Sequence, residues 1–274
     1  MSASQLALTE PTEIPLPPTQ DELPCDDGVP METLRHKLQM DLLVDPLWTW
    51  LKDRDAFVGG NMFVYYSLAQ VRDRDFKGPD VFAVLDVPRG ERKSWVLWEE
   101  GKGPDVVIEL LSSSTAKQDK TEKKQIYQNQ MRVTEYFWYD PYNPEDWAGF
   151  VLTKGVYEPL GEDEQGRLLS QKLGLALVRW SGQYRDVETV WLRWATLEGE
   201  LLPSKDELAE TERQRAETER QRAETERQRA ETERERAETE RERAETERQR
   251  AERAEQRAQE LAEQLRAIGI EPNP

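Results

Sequence analysis

Residues 210–251 are six near-copies of one heptad, ETERQRA. Glu, Arg, Gln and Ala favour helix, and no Gly or Pro interrupts the chain from Lys205 to Ile268. One helix over this stretch, expected from about Lys205 to Arg266, would run ~90 Å. Each heptad offers only one Ala and one Thr, and these are not at the three–four spacing of a coiled-coil seam. The repeats therefore cannot supply a core, and any core must come from the residues before them. A lone solvated helix and a weak Ala-seam dimer both stay open. Glu-to-Arg pairs at i,i+3, such as Glu210–Arg213 and Glu212–Arg215, should recur along it. Only Leu261, Leu265 and Ile268 could bury a seam, so a homodimer, if one forms, should join there or through the body.

The repeats set the other boundaries. Residues 204–268 form the charged heptad helix and 269–274 a flexible end. Residues 31–203 form one globular domain, and 1–30, rich in Pro and acids, form a segment expected to be mostly disordered. From residue 210 onward 19 acids face 15 bases, so −13 of the net −17 falls on residues 1–209. A body that acidic argues against broad, non-specific DNA binding through a basic face. The lone Cys25 excludes an intrachain disulfide and a Cys metal site, and reads as an incidental thiol. No secretory signal begins the sequence and no apolar run approaches the ~20 residues of a membrane span, so a cytoplasmic protein is expected.

Within the body, residues 31–54 show helical apolar spacing, with Pro46 expected to kink or split the helix. Gly59-Gly60-Asn61 between apolar runs predicts a hairpin turn. Strands follow at 80–87, in SWVLWEE, at 105–111, in TEYFWYDP and in four later short segments, with a helix from about 120 to 131. A strand–helix–strand at 105–140 implies a right-handed parallel crossover, and so an α/β or α+β domain with helices on a mixed sheet. The strand aromatics, among them Trp95, Trp98, Tyr136, Phe137, Trp138 and Trp147, read chiefly as core rather than as stacking platforms.

One strand is chemically odd. Val106, Val107, Ile108, Leu110 and Leu111 surround Glu109, and a carboxylate there costs several kcal/mol unless something offsets it. Alternation puts Asp105, Val107, Glu109 and Leu111 on one face. Gly-Pro-Asp-Val opens two strands, at 78–81 and 103–106, so Asp80, Asp105 and Glu109 could converge at one end of a sheet. Asp119 with Glu122 reads as a capping box. Lys123, with Ile126 and Tyr127 on its face, then points at the sheet, with Glu109 as its nearest partner. Two readings follow. Lys123 and Glu109 form a structural ion pair, or Asp80 and Glu109 bind a divalent cation with Lys123 positioned to act on phosphate.

The stretches METLRH (31–36), GPDVFAV (78–84), PDVVIELLSSST (104–115), DKTEKKQIY (119–127) and TEYFWYDP (134–141) resemble the Uma-two family of restriction-endonuclease-like proteins, in the PD-(D/E)XK nuclease superfamily. The resemblance runs over roughly residues 31–195 and implies a restriction-endonuclease-like fold: a mixed sheet flanked by helices. It also implies a Mg²⁺ (or Mn²⁺) cofactor and hydrolysis of phosphodiester bonds, with nucleic acid, DNA in the first place, as partner. Pro79-Asp80 matches the first half of the superfamily motif and Glu109 its second acid, which gives Asp80, Glu109 and the Leu110 carbonyl as metal ligands. The motif's lysine place holds Leu111, and the resemblance moves the lysine role to Lys123. Glu32 and His36 match a family pattern near the first helix and, with Asp105 and Tyr127, are candidate supporting residues. A degenerate nuclease fold used as an interaction module, with the tail as spacer or docking rod, is the competing reading.

Overall fold

The computed structural model describes residues 17–25, 33–67, 76–267 and 269. Most of the 1–30 segment, Glu32 and Ile268 lie outside these residues. The chain divides into two units, Met1–Glu207 and Leu208–Pro274.

The first helix, α1 (Leu34–Trp50), starts at Thr33, whose hydroxyl accepts the His36 N–H at 3.2 Å. Pro46 lies inside it and does not split it. Leu42, Leu43 and Leu47 bury the same stretch in the core, and that packing holds the helix through the missing N–H. The expected hairpin at Gly59-Gly60-Asn61 does not form either. Strand β1 (Ala56–Gly60) pairs with β4 (Val81–Leu85), whereas β2 (Val64–Tyr65) joins β3 (Phe76–Lys77) and β5 (Trp95–Val96) in another sheet. Asn61, in the left-handed region at φ 45°, turns the chain from one sheet to the next. Of the expected strand SWVLWEE only Trp95–Val96 is extended, and Leu97–Glu100 makes a helical turn.

The main sheet has six strands in the order β1-β4-β6-β7-β8-β9, with β6 (Val106–Leu110), β7 (Glu135–Tyr139), β8 (Trp147–Thr153) and β9 (Val156–Leu160). Only β6 and β7 run parallel in it; the other pairings are antiparallel. The six strands and their flanking helices form the mixed α/β fold read from the sequence. One face, with Val106, Ile108 and Leu110, packs on α1 and on the antiparallel sheet β10 (Leu168–Ser170), β11 (Leu175–Tyr184), β12 (Val187–Thr196). The other, with Val107, Phe82 and Tyr136, packs on the helix that links β6 to β7. Alternation of apolar residues on both faces explains why β6 reads as an unbroken apolar run.

That crossover helix, 116–131, starts earlier than expected. Ser112 leads it in, its hydroxyl accepting the Thr115 N–H at 3.1 Å and its carbonyl the Ala116 N–H at 2.9 Å. Asp119 is therefore no N-cap: it is buried, with helical angles, one turn inside. Asp119–Lys123 and Tyr127–Met131 are π-helical turns, and Arg132 at φ 57° ends the helix. A Cβ on Gly103 would stand 2.6 Å from the Met131 carbonyl, so the strand entrance and helix end meet only through glycine.

Residues 17–25 lie on the small sheet. Leu23 is buried beside Phe63 and Tyr65, the Trp98 indole donates to the Pro18 carbonyl (2.9 Å), and the Tyr65 hydroxyl donates to Pro24 (2.5 Å). Cys25 is exposed.

The tail is a continuous helix, Lys205–Ala267, in which no residue is buried. Its pairing differs from expectation. Glu210–Arg213 stand 3.9 Å apart and Arg248–Glu252 3.1 Å, and these are the two ion pairs of the repeats among the described residues. The regular feature is instead a column of Thr hydroxyls, at 218, 225, 232, 239 and 246, each donating to the carbonyl four residues back at 2.8–2.9 Å. Among the described residues no helix is long and apolar enough to cross a membrane.

Candidate active site

The two Gly-Pro-Asp-Val entrances belong to β4 and β6, which run antiparallel with Val81 opposite Ile108. Antiparallel strands have their entrances at opposite ends. Asp80 thus stands across from Glu109, while Asp105 lies at the far end beside Leu85. The two aspartates do matching work: Asp80 Oδ2 accepts the Leu110 N–H at 2.7 Å, and Asp105 Oδ2 the Leu85 N–H at 2.8 Å. Asp105 also pairs with Lys102 (2.8 Å) and Lys172 (3.7 Å). The three-acid convergence read from the sequence is therefore wrong in one member: Asp105 caps a strand away from Glu109.

Glu109, 1% exposed, presents its carboxyl to the crossover helix. Lys123 Nζ is 3.0 Å from Oε2, and the Tyr127 hydroxyl donates to Oε1 at 2.5 Å. Asp119 lies on the same stripe, its Oδ1 2.7 Å from Lys123 Nζ. Residues 119, 123 and 127 are four apart, the spacing that aligns side chains on one helix face. Sequence reasoning missed Asp119 as a site residue because it cast it as a cap; the i,i+4,i+8 spacing was the signal that could have found it.

Burial dominates the electrostatics. It pushes the Glu109 carboxyl up to about 8, with Lys123 pulling down and Asp80 adding to the rise. Asp80 is only half-buried as a residue, yet protein surrounds its carboxyl, and burial raises it to about 6 against the Leu110 N–H and Lys123. At neutral pH Asp80 and Glu109 together therefore hold about one proton. Lys123 is desolvated too, but the charges of Glu109 and Asp119 outweigh this and hold it protonated. Tyr127 is raised well above its ordinary value by burial and by Glu109, and stays a neutral donor.

His36 is buried at the sheet's end, its Nε2 3.1 Å from the Leu111 carbonyl and its Nδ1 3.0 Å from Thr33 Oγ1. It braces the strand two residues beyond Glu109 and touches neither acid. Glu32 lies outside the described residues.

No group of three or more His, Cys, Asp or Glu among the described residues is arranged around a metal position. What the site offers is Asp80, Glu109 and the carbonyl of Leu110, whose N–H already faces Asp80. These are all oxygen donors, as Mg²⁺ prefers. Two carboxyl groups, of Glu109 and Asp119, share one ammonium beside Asp80, and Asp119 Oδ2 is buried without a hydrogen-bond partner. A divalent cation would make up the missing charge, so the residues present fit one.

The family model described as "Uma2: Putative restriction endonuclease" matches residues 22–188, well over half of the chain. Among solved structures the chain is similar to one titled as a putative nuclease belonging to DUF820 from Anabaena variabilis. The identity is 17% and the TM-score 0.41, over 57% of this chain and 91% of that one. No curated protein matches. A family match over residues 22–188 identifies the chain as a member of the Uma2 family, whose description is "putative restriction endonuclease".

Proposed function

We propose that the chain is a Mg²⁺-dependent endonuclease that hydrolyses phosphodiester bonds, with DNA as substrate, in the cytoplasm. The observation that carries this reading is Lys123. Its ammonium lies 3.0 Å from Glu109 although Leu111 fills the strand position where the superfamily motif has its lysine. Asp80, Glu109 and the Leu110 carbonyl would hold Mg²⁺ or Mn²⁺. When bound, the ion supplies positive charge against the phosphate and acidifies a water. Lys123 orients the attacking water and offsets charge gathering on the phosphate. Tyr127 fixes Glu109 by occupying Oε1, which leaves Oε2 to Lys123. His36 keeps the end of β6 in place through the Leu111 carbonyl.

One observation favours the second reading, a degenerate fold serving as an interaction module with the tail as spacer or docking rod. Glu109 is almost fully enclosed, and Lys123 is tied to both Glu109 and Asp119. The test is incubation of the full chain with supercoiled DNA, linear DNA and RNA, with and without Mg²⁺ or Mn²⁺. Metal-dependent cuts that vanish in Asp80→Asn support the enzyme. No cuts in any substrate, together with a Mn²⁺-soaked crystal lacking an ion between Asp80 and Glu109, support the module.

A further inference from the structure

Between residues 116 and 132 five cations stand against two acids, in a chain of net charge −17. Lys123 belongs to the acid site, and Lys120 Nζ lies 2.5 Å from Asp146. Lys124 has no acid partner among the described residues. Its ammonium sits 3.3 Å from the Phe150 ring centre and 5.6 Å from that of Trp138. Burial lowers its pKa, the mark of a cation losing water without a compensating charge. Aromatic faces return only part of that loss. Trp138 carries Lys120 too, at 5.5 Å, and its indole N–H is buried with no hydrogen-bond partner. One unpaired ammonium, that of Lys124, and an unused donor thus gather on one ring, with Lys120 beside them in its ion pair with Asp146.

The ring's position gives this meaning. Trp138 is the parallel-strand neighbour of Glu109, paired with it in register. Neighbours in register share a sheet face about 4.8 Å apart. An anion on Lys124 and Lys120 would therefore lie one strand over from the candidate site.

We propose that Lys120 and Lys124, seated on Trp138 and Phe150, bind a phosphate of the nucleic-acid strand adjoining the one that is cut. This rests on the nuclease reading above. It also reconciles that reading with an acidic body: the contact is a short cationic strip rather than a basic face, so few phosphates are engaged and the salt dependence is shallow.

The test is binding of fluorescein-labelled oligonucleotides, duplex and single-stranded, to the full chain in EDTA over a range of salt. Lys124→Met and Lys120→Met keep the stems and remove the charge, while Lys124→Arg keeps the charge. Each Met variant is expected to weaken binding roughly 3–10-fold. Each should also make the log–log salt slope shallower by about 0.9 on duplex or 0.7 on single strands, with the Arg variant close to wild type. Melting within about 2 °C of wild type certifies the fold, and should Lys124→Met melt early, Lys120→Met carries the test. Unchanged affinity and slope in well-folded Met variants overturns this proposal alone and leaves the nuclease reading standing, as does a loss in Lys124→Arg equal to that in Lys124→Met, which would assign the effect to packing. A wild-type chain that binds neither oligonucleotide overturns the nuclease reading and this inference with it.

Discussion

The crossover helix, 116–131, and the tail helix, Lys205–Ala267, draw on much the same residues: bases, Glu, Gln, Thr and Ala. The first buries Asp119 and nearly buries Lys123, while the second buries nothing. In the tail an ion pair is exposed on both sides, 3.1 Å between Arg248 and Glu252, and such pairs contribute little because water competes for both partners. On the crossover helix the sheet removes the water, so the same chemistry shifts pKa values and leaves groups needing partners. Charge becomes chemically useful through what covers it.

The largest expected effect is on catalysis. Asp80→Asn, Glu109→Gln and Lys123→Ala should each lower the cleavage rate by about 10²–10⁴-fold. Replacing any one Arg of the repeats should change it less than about twofold. Near-normal cutting in Lys123→Ala, on any substrate the wild type cleaves, would erase the contrast between the two helices.

The next concerns where the tail begins. Arg193, buried on β12, pairs with Glu207 at 2.6 Å, and Glu207 also accepts the Ser204 N–H at 2.7 Å. The helix's first turn is thus part of the body. Truncation after Pro203 should destabilise the body by about 3 kcal/mol, because it strands a buried guanidinium. Truncation after Ala209 should leave its melting temperature within about 2 °C. Equal melting of the two would show that Glu207 is as idle as the repeats. Solution mass of the Ala209 truncation checks whether self-association, where present, depends on the tail.

A pH titration sharpens the same point. Glu109 and Asp80 are raised in the folded chain, from 4.5 to about 8 and from 3.8 to about 6. The folded state then binds more protons than the unfolded between roughly pH 4 and 8, so without metal stability falls as pH rises through that window. Thermal melting from pH 5 to 8.5 should drop by several degrees in EDTA, drop less with Mg²⁺ present, and flatten in Glu109→Gln. A flat wild-type profile in EDTA would remove the shared proton.

The smallest effect lies in the repeats. Thr hydroxyls that donate four residues back weaken a helix slightly. Changing Thr218, Thr225, Thr232, Thr239 and Thr246 to Ala should raise helicity by a few tenths of a kcal/mol per site, read by circular dichroism. A fall would mean that the Thr column supports the rod.

The sequence carried the strand faces of β6, the parallel β6–β7 crossover and the continuous tail, because period-2 alternation and helix propensity are local signals. It misplaced Asp105, since whether two similar strands run parallel or antiparallel is decided by pairing partners rather than by either strand's residues. It also allowed a split at Pro46, where α1 runs on unsplit, and put a hairpin at Gly59-Gly60-Asn61; packing of Leu42 and Leu47 and the choice of a second sheet outweighed local preference. At the site, the opposition of Asp80 and Glu109 comes from register, and Asp119 was hidden by a plausible capping pattern.

The π turn at Asp119–Lys123 separates two things that usually change together. In an ordinary α-helix, losing one residue swings everything beyond it by about 100°. Here that would pull Tyr127 and Met131 out of the core. A π turn already holds a surplus residue, so a single-codon deletion within 119–123 can be absorbed by reverting to α, with both ends of the helix still seated. What moves is the side chain that stands where Lys123 stands. A deletion or insertion in this stretch would therefore change which side chain faces Glu109 while leaving the sheet as it is.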